Sequence, residues 1–204
     1  MQPHGRIALV TGASRGIGAE VARQLAHPDT HVLTSDEAAA AATIDDIAHR
    51  FGRLDILVLN ASGGDRDAQR RIAQLALPLM PAGGHIVFVT SHQAHFYPHK
   101  AVPKGYATVA ASMRAGETAL HAMRAEFDRK GIHFTVVSGE MIDGTTIVDL
   151  LKRRNPLAAA PRGGHVELPS INDFAVAIAN VATSPNPTGI VFVGGPDHLT
   201  RMSA

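Results

Sequence analysis

The stretch that most constrains this chain is Ile7-Ala8-Leu9-Val10-Thr11-Gly12-Ala13-Ser14-Arg15-Gly16-Ile17-Gly18-Ala19-Glu20. Ile7 to Val10 are a short continuous apolar run, the pattern of a strand buried on both faces. Residues 19–26 read as a helix, so the glycines at 12, 16 and 18 sit on a strand-to-helix turn. Such a turn presents free backbone N–H groups and the positive end of a helix dipole, and glycine lets the backbone approach a pyrophosphate closely. With these elements on either side, the T-G-x-x-x-G-x-G spacing points to dinucleotide binding rather than to a purely structural turn.

The rest of the chain keeps alternating apolar strands with amphipathic helices. Strands are expected at 31–34, 55–60, 85–91, 133–137 and 189–193. Helices are expected at 36–51, 67–79, 106–130, 145–154 and 171–183, with a polar, His-rich loop at 92–103 and another loop at 155–169. This alternation predicts an α/β fold: a doubly wound, Rossmann-like parallel sheet covered by helices on both faces, as one domain over residues 1–204. Ligands of such sheets bind beyond the carboxyl ends of the strands, where the turns at 12–18, 60–64, 91–93 and 138–146 would meet.

Composition narrows the function classes. Hydrophobic residues make up 45% and charged residues 18%, so the chain can bury a core. A formal net charge of +1 without any block of like charge gives no reason to expect nucleic acid or an anionic membrane as partner. The absence of cysteine removes disulfides, thiolate metal sites and cysteine nucleophiles. No signal-peptide pattern and no apolar stretch of spanning length is seen, so a cytoplasmic protein is expected.

In order along nearly its whole length, the chain resembles the short-chain dehydrogenase/reductase family. Gly12, Ser14, Arg15, Gly16, Ile17 and Gly18 lie in a segment similar to the family's cofactor turn. Leu59-Asn60-Ala61-Ser62-Gly63 resembles the N-N-A-G that ends a family strand, with Leu59 for the first asparagine and Ser62 for the glycine. The strand from Gly84 to Ser91 resembles the one that delivers the catalytic serine, which assigns that role to Ser91. Ser138-Gly139, with Ile142 and Thr145 beyond, resembles the P-G segment over the nicotinamide, with Ser138 in place of proline. The resemblance implies a cofactor site formed by the glycine turn, Asn60, Ala61, Ser62, Ile142 and Thr145. It also implies hydride transfer between NAD(P) and a small carbonyl or alcohol substrate.

That chemistry uses a tyrosine to move the hydroxyl proton and a lysine to lower its pKa and hold the ribose. It also uses a serine to orient the carbonyl and an asparagine to hold a water. The family pairs tyrosine and lysine as Y-x-x-x-K. In one register of this chain the tyrosine is Tyr106 and the lysine position holds Ala110. In the other, anchored on Ala111-Ser112-Met113-Arg114-Ala115, Val109 and Met113 stand there. Neither register supplies both. Tyr106 remains the candidate acid, expected to titrate near its ordinary value of about 10. Lys100 or Lys104 could stand in for the lysine, Tyr97 is a second tyrosine candidate, and an aspartate at 65–67 falls where the family places its asparagine. A catalytically silent, nucleotide-binding scaffold or sensor is therefore the alternative to an oxidoreductase.

Residues 27–55 have room for one strand–helix unit where the family has two. Leu33-Thr34-Ser35-Asp36-Glu37 reads either as the end of the second strand, with Asp36 placed for an adenosine ribose and NAD, or as the end of the third. Arg15 on the glycine turn favours the 2′-phosphate of NADP, and NADP is the preference taken. His92, His95 and His99 suggest a loop beside a pocket more than a metal site, since Pro98 interrupts any helix there. A serine-hydrolase reading fails for want of a G-x-S-x-G elbow. The small residues of helix 106–130 suit packing on its own sheet and, as in the family, against a second subunit. A homodimer or homotetramer is expected.

Overall fold

The computed structural model describes residues 5–60, 65, 67–103, 105–145, 148–149, 153, 168–184 and 189–194. Six strands form one parallel sheet: β1 (Arg6–Thr11), β2 (Thr30–Ser35), β3 (Ile56–Asn60), β4 (His85–Ser91), β5 (His133–Gly139) and β6 (Ile190–Val193). Their order across the sheet is β2-β1-β3-β4-β5-β6. The chain steps outward from β1 in both directions, so the reversal point, where such sheets bind ligands, falls at the glycine turn. The apolar runs read from the sequence are these strands. Ile7, Leu9, Leu57, Leu59, Ile86 and Phe88 are fully buried, as parallel strands covered on both faces require.

Alternate strand residues feed two cores. On one face α2 (Ala40–Arg50), α3 (Ala68–Ala76), α5 (Ala107–Ala122) and α6 (Arg124–Lys130) pack through Ile44, Ile47, Ile72, Leu120 and Phe127. On the other, α1 (Gly16–Leu25) and α7 (Ile171–Thr183) pack through Val21, Leu25, Phe174 and Ile178. The start of α7 is fixed by a capping box between Ser170 and Asp173.

Several boundaries differ from the sequence reading. The first helix starts at Gly16, three residues early, because the glycine turn runs directly into it. The segment before α2 is a turn closed by the Asp36 carboxylate, which accepts the Ala39 N–H at 2.7 Å. The helix expected over 67–79 ends in a 3-10 turn, Leu77–Leu79. The one expected over 106–130 divides at Met123, whose N–H bonds the Leu120 carbonyl and so tightens the winding there. The loop at 92–103 opens with a single helical turn, α4 (His92–His95), capped by the Ser91 hydroxyl. Most of the helix expected at 145–154 and of the loop at 155–169 lies outside the described residues.

The short region between α1 and β3 contributes one strand, β2. It pairs directly with β1 from Arg6↔Thr30 to Thr11↔Ser35. It thus occupies the place beside β1, and Asp36 follows its carboxyl end on the same edge as the glycine turn. The second-strand reading of residues 33–37 is the one the sheet adopts.

Candidate active site

The glycine turn is held open by close approaches that leave no room for side chains. Gly12 has φ +62°, the left-handed region that favours glycine. A Cβ on Gly18 would overlap the Gly12 carbonyl oxygen and stand 2.9 Å from the Asn60 amide nitrogen. Asn60, at the end of β3, donates from Nδ2 to the Gly12 carbonyl at 3.1 Å. Its backbone N–H donates to the Thr11 hydroxyl at 3.2 Å, and that hydroxyl donates to the Val58 carbonyl at 3.4 Å. Asn60 therefore locks the first residue of the turn onto the neighbouring strand. Ser14 and Arg15 are exposed on the turn, and Ile17 packs beneath it.

Ile142 is buried in the same apolar cluster as Ile17, and its carbonyl accepts the Thr145 hydroxyl at 2.8 Å. The expected cofactor residues Gly12, Ser14, Arg15, Gly16, Ile17, Gly18, Asn60, Ile142 and Thr145 thus lie along one edge of the sheet. Ala61 and Ser62 lie outside the described residues.

Two strands across from β1, about 10 Å at ordinary strand spacing, β4 ends at Ser91. Its Oγ accepts the Ala94 N–H at 3.1 Å and lies 3.0 Å from the Tyr106 hydroxyl. Two residues fifteen positions apart in sequence are therefore in hydrogen-bond contact at the carboxyl edge of the sheet. Tyr106 precedes α5 and packs with Ala94, Ala110 and Met113. Its hydroxyl also lies 3.7 Å from the Met113 sulfur. Both positions at which a lysine was sought are buried and apolar.

The ordinary titration expected for Tyr106 needs correcting. Burial pushes its pKa up, and the Ser91 hydrogen bond offsets only part of that rise. Among the described residues, no charged group contributes to the shift. Lys100 sits with its ammonium 4.6 Å above the Phe96 ring; Lys104 lies outside the described residues. Tyr97 packs against the Tyr106 cluster as a wall. Asp67 precedes α3, and Asp65 pairs with Arg71.

The histidines of the loop are internal fasteners. His92, 1% exposed, has Nδ1 2.8 Å from the Ser138 hydroxyl on β5. His95 Nδ1 lies 2.8 Å from Oε1 of Glu117 on α5. Glu117 was not singled out in the sequence. Its signal is a carboxylate at an apolar position: 106, 110, 113 and 117 follow 4-3-4 spacing, one buried stripe of a helix. Glu117 is fully buried and also meets Arg114 at 2.8 Å and His121 at 3.6 Å. Burial alone would raise its pKa, but His121, His95 and Arg114 together bring it down to about 2.

Comparison with known proteins agrees with this geometry. No family model matches the chain. It is 28% identical to the 1-cyclohexenylcarbonyl-CoA reductase of Streptomyces collinus, over 70% of this chain and 66% of that enzyme. It is 39% identical to the short-chain dehydrogenase/reductase FrzI of Cladobotryum sp., over 35% of this chain and 28% of that protein. The chain thus spans at most about two thirds of these curated relatives. Among solved structures, hydroxysteroid dehydrogenase from Escherichia coli superposes with a TM-score of 0.75 at 20% identity, covering 95% of this chain and 97% of that one. A short-chain dehydrogenase from Burkholderia cenocepacia in complex with NADP gives 0.69 at 24% identity, covering 96% and 98%. The chain is thus similar in sequence to proteins named as reductases and short-chain dehydrogenases/reductases, and its fold is that of the solved dehydrogenases. Among the described residues, no helix is long and apolar enough to cross a membrane.

Proposed function

We propose that the chain is an NADP(H)-dependent reductase of small carbonyl compounds in which Ser91 orients the carbonyl oxygen and Tyr106 protonates it. The observation that carries this reading is the 3.0 Å contact between the two hydroxyls. They stand at the carboxyl edge of the sheet, two strands from a turn shaped for a pyrophosphate.

The residues fit a dinucleotide. The close approach of Gly18 to Gly12 leaves a concave backbone at the amino end of α1, where a pyrophosphate is favoured by the dipole and the unpaired N–H groups. Arg15, exposed on this turn, supplies positive charge for a 2′-phosphate, while the nearby Asp36 carboxylate is partly engaged by Ala39. When bound, the nicotinamide supplies the hydride. The protein's part is the proton. With its pKa above the usual value, Tyr106 stays a protonated phenol at neutral pH, so it is suited to donate a proton rather than to accept one. That favours reduction over alcohol oxidation. Ser91, its Oγ fixed by the Ala94 N–H, offers its own O–H to the same oxygen.

Ala110 and Met113 favour a second reading, a nucleotide-binding member that performs no turnover. One experiment separates the two: fluorescence titration with NADPH and NADH, followed by NADPH oxidation over a broad panel of aldehydes and ketones. Turnover that disappears in Ser91→Ala/Tyr106→Phe supports the reductase. Tight binding without turnover supports the silent member, and failure to bind either nucleotide refutes both.

A further inference from the structure

We infer that Glu117 is the positioning residue of the Ser91–Tyr106 pair, tying the helical turn that begins at Ser91 to the helix that begins at Tyr106. The inference rests on the reading of that pair as the reacting site. Ser91 caps α4 through the Ala94 N–H. A helix of four residues has no cooperative stability of its own, so its placement must come from what it touches. Ala94 meets Tyr106, Ala110 and Met113 through apolar contact, which has little directional preference. Two directional contacts hold α4: His92 Nδ1 meets the Ser138 hydroxyl on β5 at 2.8 Å, and His95, its last residue, meets Oε1 of Glu117 on α5 at 2.8 Å, so His95 makes the one directed at α5.

Glu117 lies on α5 eleven residues, about three turns, beyond Tyr106 at its N-cap, so both project from one face. Serine to tyrosine and histidine to glutamate are therefore two rungs between the same two elements. The second rung ends on a fully buried carboxylate: the Glu117 side chain has no exposed surface, and that of His95 is 16% exposed. His95 is braced further by Phe96 and Phe192, with ring centroids 4.8 and 5.5 Å away. Arg114 and His121 meet the same carboxylate oxygen from α5 itself. His121 also stands edge-on to Phe134 of β5, with ring centroids 5.3 Å apart, but neither residue ties the carboxylate to α4.

The chain has two tyrosines and no tryptophan. In a Tyr97→Phe background Tyr106 is thus the one intrinsic fluorophore. Iodide quenching at pH 7.5 then reads its exposure directly, and circular dichroism confirms folding. In the background protein quenching should be weak, since Tyr106 is 9% exposed. Glu117→Gln and, independently, His95→Gln should raise the quenching constant several-fold. Arg114→Ala should lower the melting temperature and leave the quenching constant unchanged.

Where carbonyl turnover is measurable, Glu117→Gln should lower kcat on the order of 100-fold, the scale of a small misplacement, with NADPH affinity unchanged. Equal quenching in Glu117→Gln or His95→Gln overturns the inference, as does an Arg114→Ala effect as large as theirs. If Glu117→Gln does not fold, the His95 variant decides. A parent protein without turnover would refute the reductase reading alone, because quenching still answers for Glu117.

Discussion

Adding one methyl group at Gly18 tests the glycine turn. The new Cβ would overlap the Gly12 carbonyl oxygen and stand 2.8 Å from its carbon and 2.9 Å from Asn60 Nδ2. Neither neighbour can give way freely, because the Asn60 amide is itself bonded to that carbonyl. Overpacking of this kind costs about 1–3 kcal/mol, and a broken Asn60–Gly12 bond adds about 1 kcal/mol. The gain in helix propensity from glycine to alanine returns at most about 1 kcal/mol. Gly18→Ala should therefore unfold about 1–3 kcal/mol more easily in urea and bind NADPH at least tenfold more weakly.

Gly52→Ala is the matched control. Gly52 has φ +66° and nothing within 4 Å of an added Cβ, so it should cost about 1–2 kcal/mol through backbone strain and leave NADPH binding alone. A Gly18→Ala protein as stable as its parent, with equal affinity for NADPH, would refute the packing argument.

Three further outcomes are expected. His85 is buried, with Nε2 2.9 Å from the Thr135 hydroxyl and Nδ1 3.3 Å from the Ala182 carbonyl; burial lowers its pKa from 6.5 to about 4. The unfolded chain then binds more protons between those values, so stability present above pH 6.5 should be lost progressively as pH falls to about 4. Urea titrations at several pH values should show a loss on the order of 3 kcal/mol that is absent in His85→Gln. Glu117, lowered from 4.5 to about 2, should add a second loss from pH 4.5 downward, which Glu117→Gln abolishes in the same experiment. Because the pKa of Tyr106 is raised, carbonyl reduction should stay level from pH 6 to 9; a rate falling through pH 7–8 would show that another group donates the proton.

The strands were legible because parallel strands covered on both faces must be continuously apolar, as Ile7–Val10 and Ile86–Val89 are. The glycine turn was legible because its spacing encodes close backbone approach. Ser91 and Tyr106 could be named individually, but not their contact, which depends on α4 folding back over α5. That turn was missed: four residues with three polar side chains have no hydrophobic period. The division at Met123 lay equally beyond sequence, since both halves continue one helical pattern. Glu117 was hidden by its charge, because an ionised residue ordinarily reads as exposed. Its burial is offset by the contacts that His95, Arg114 and His121 make with its carboxylate.

In the proposed reduction Tyr106 protonates the carbonyl with no lysine beside it among the described residues. Single-turnover reduction with NADPH deuterated at the transferring position tests this most directly, with product read by mass spectrometry. Deuterium should appear on the carbinol carbon of the alcohol, at a rate that falls on the order of 100-fold or more in Tyr106→Phe while NADPH affinity is kept. Label transfer at an equal rate in Tyr106→Phe, or no transfer to any carbonyl by a protein that binds NADPH, would contradict it.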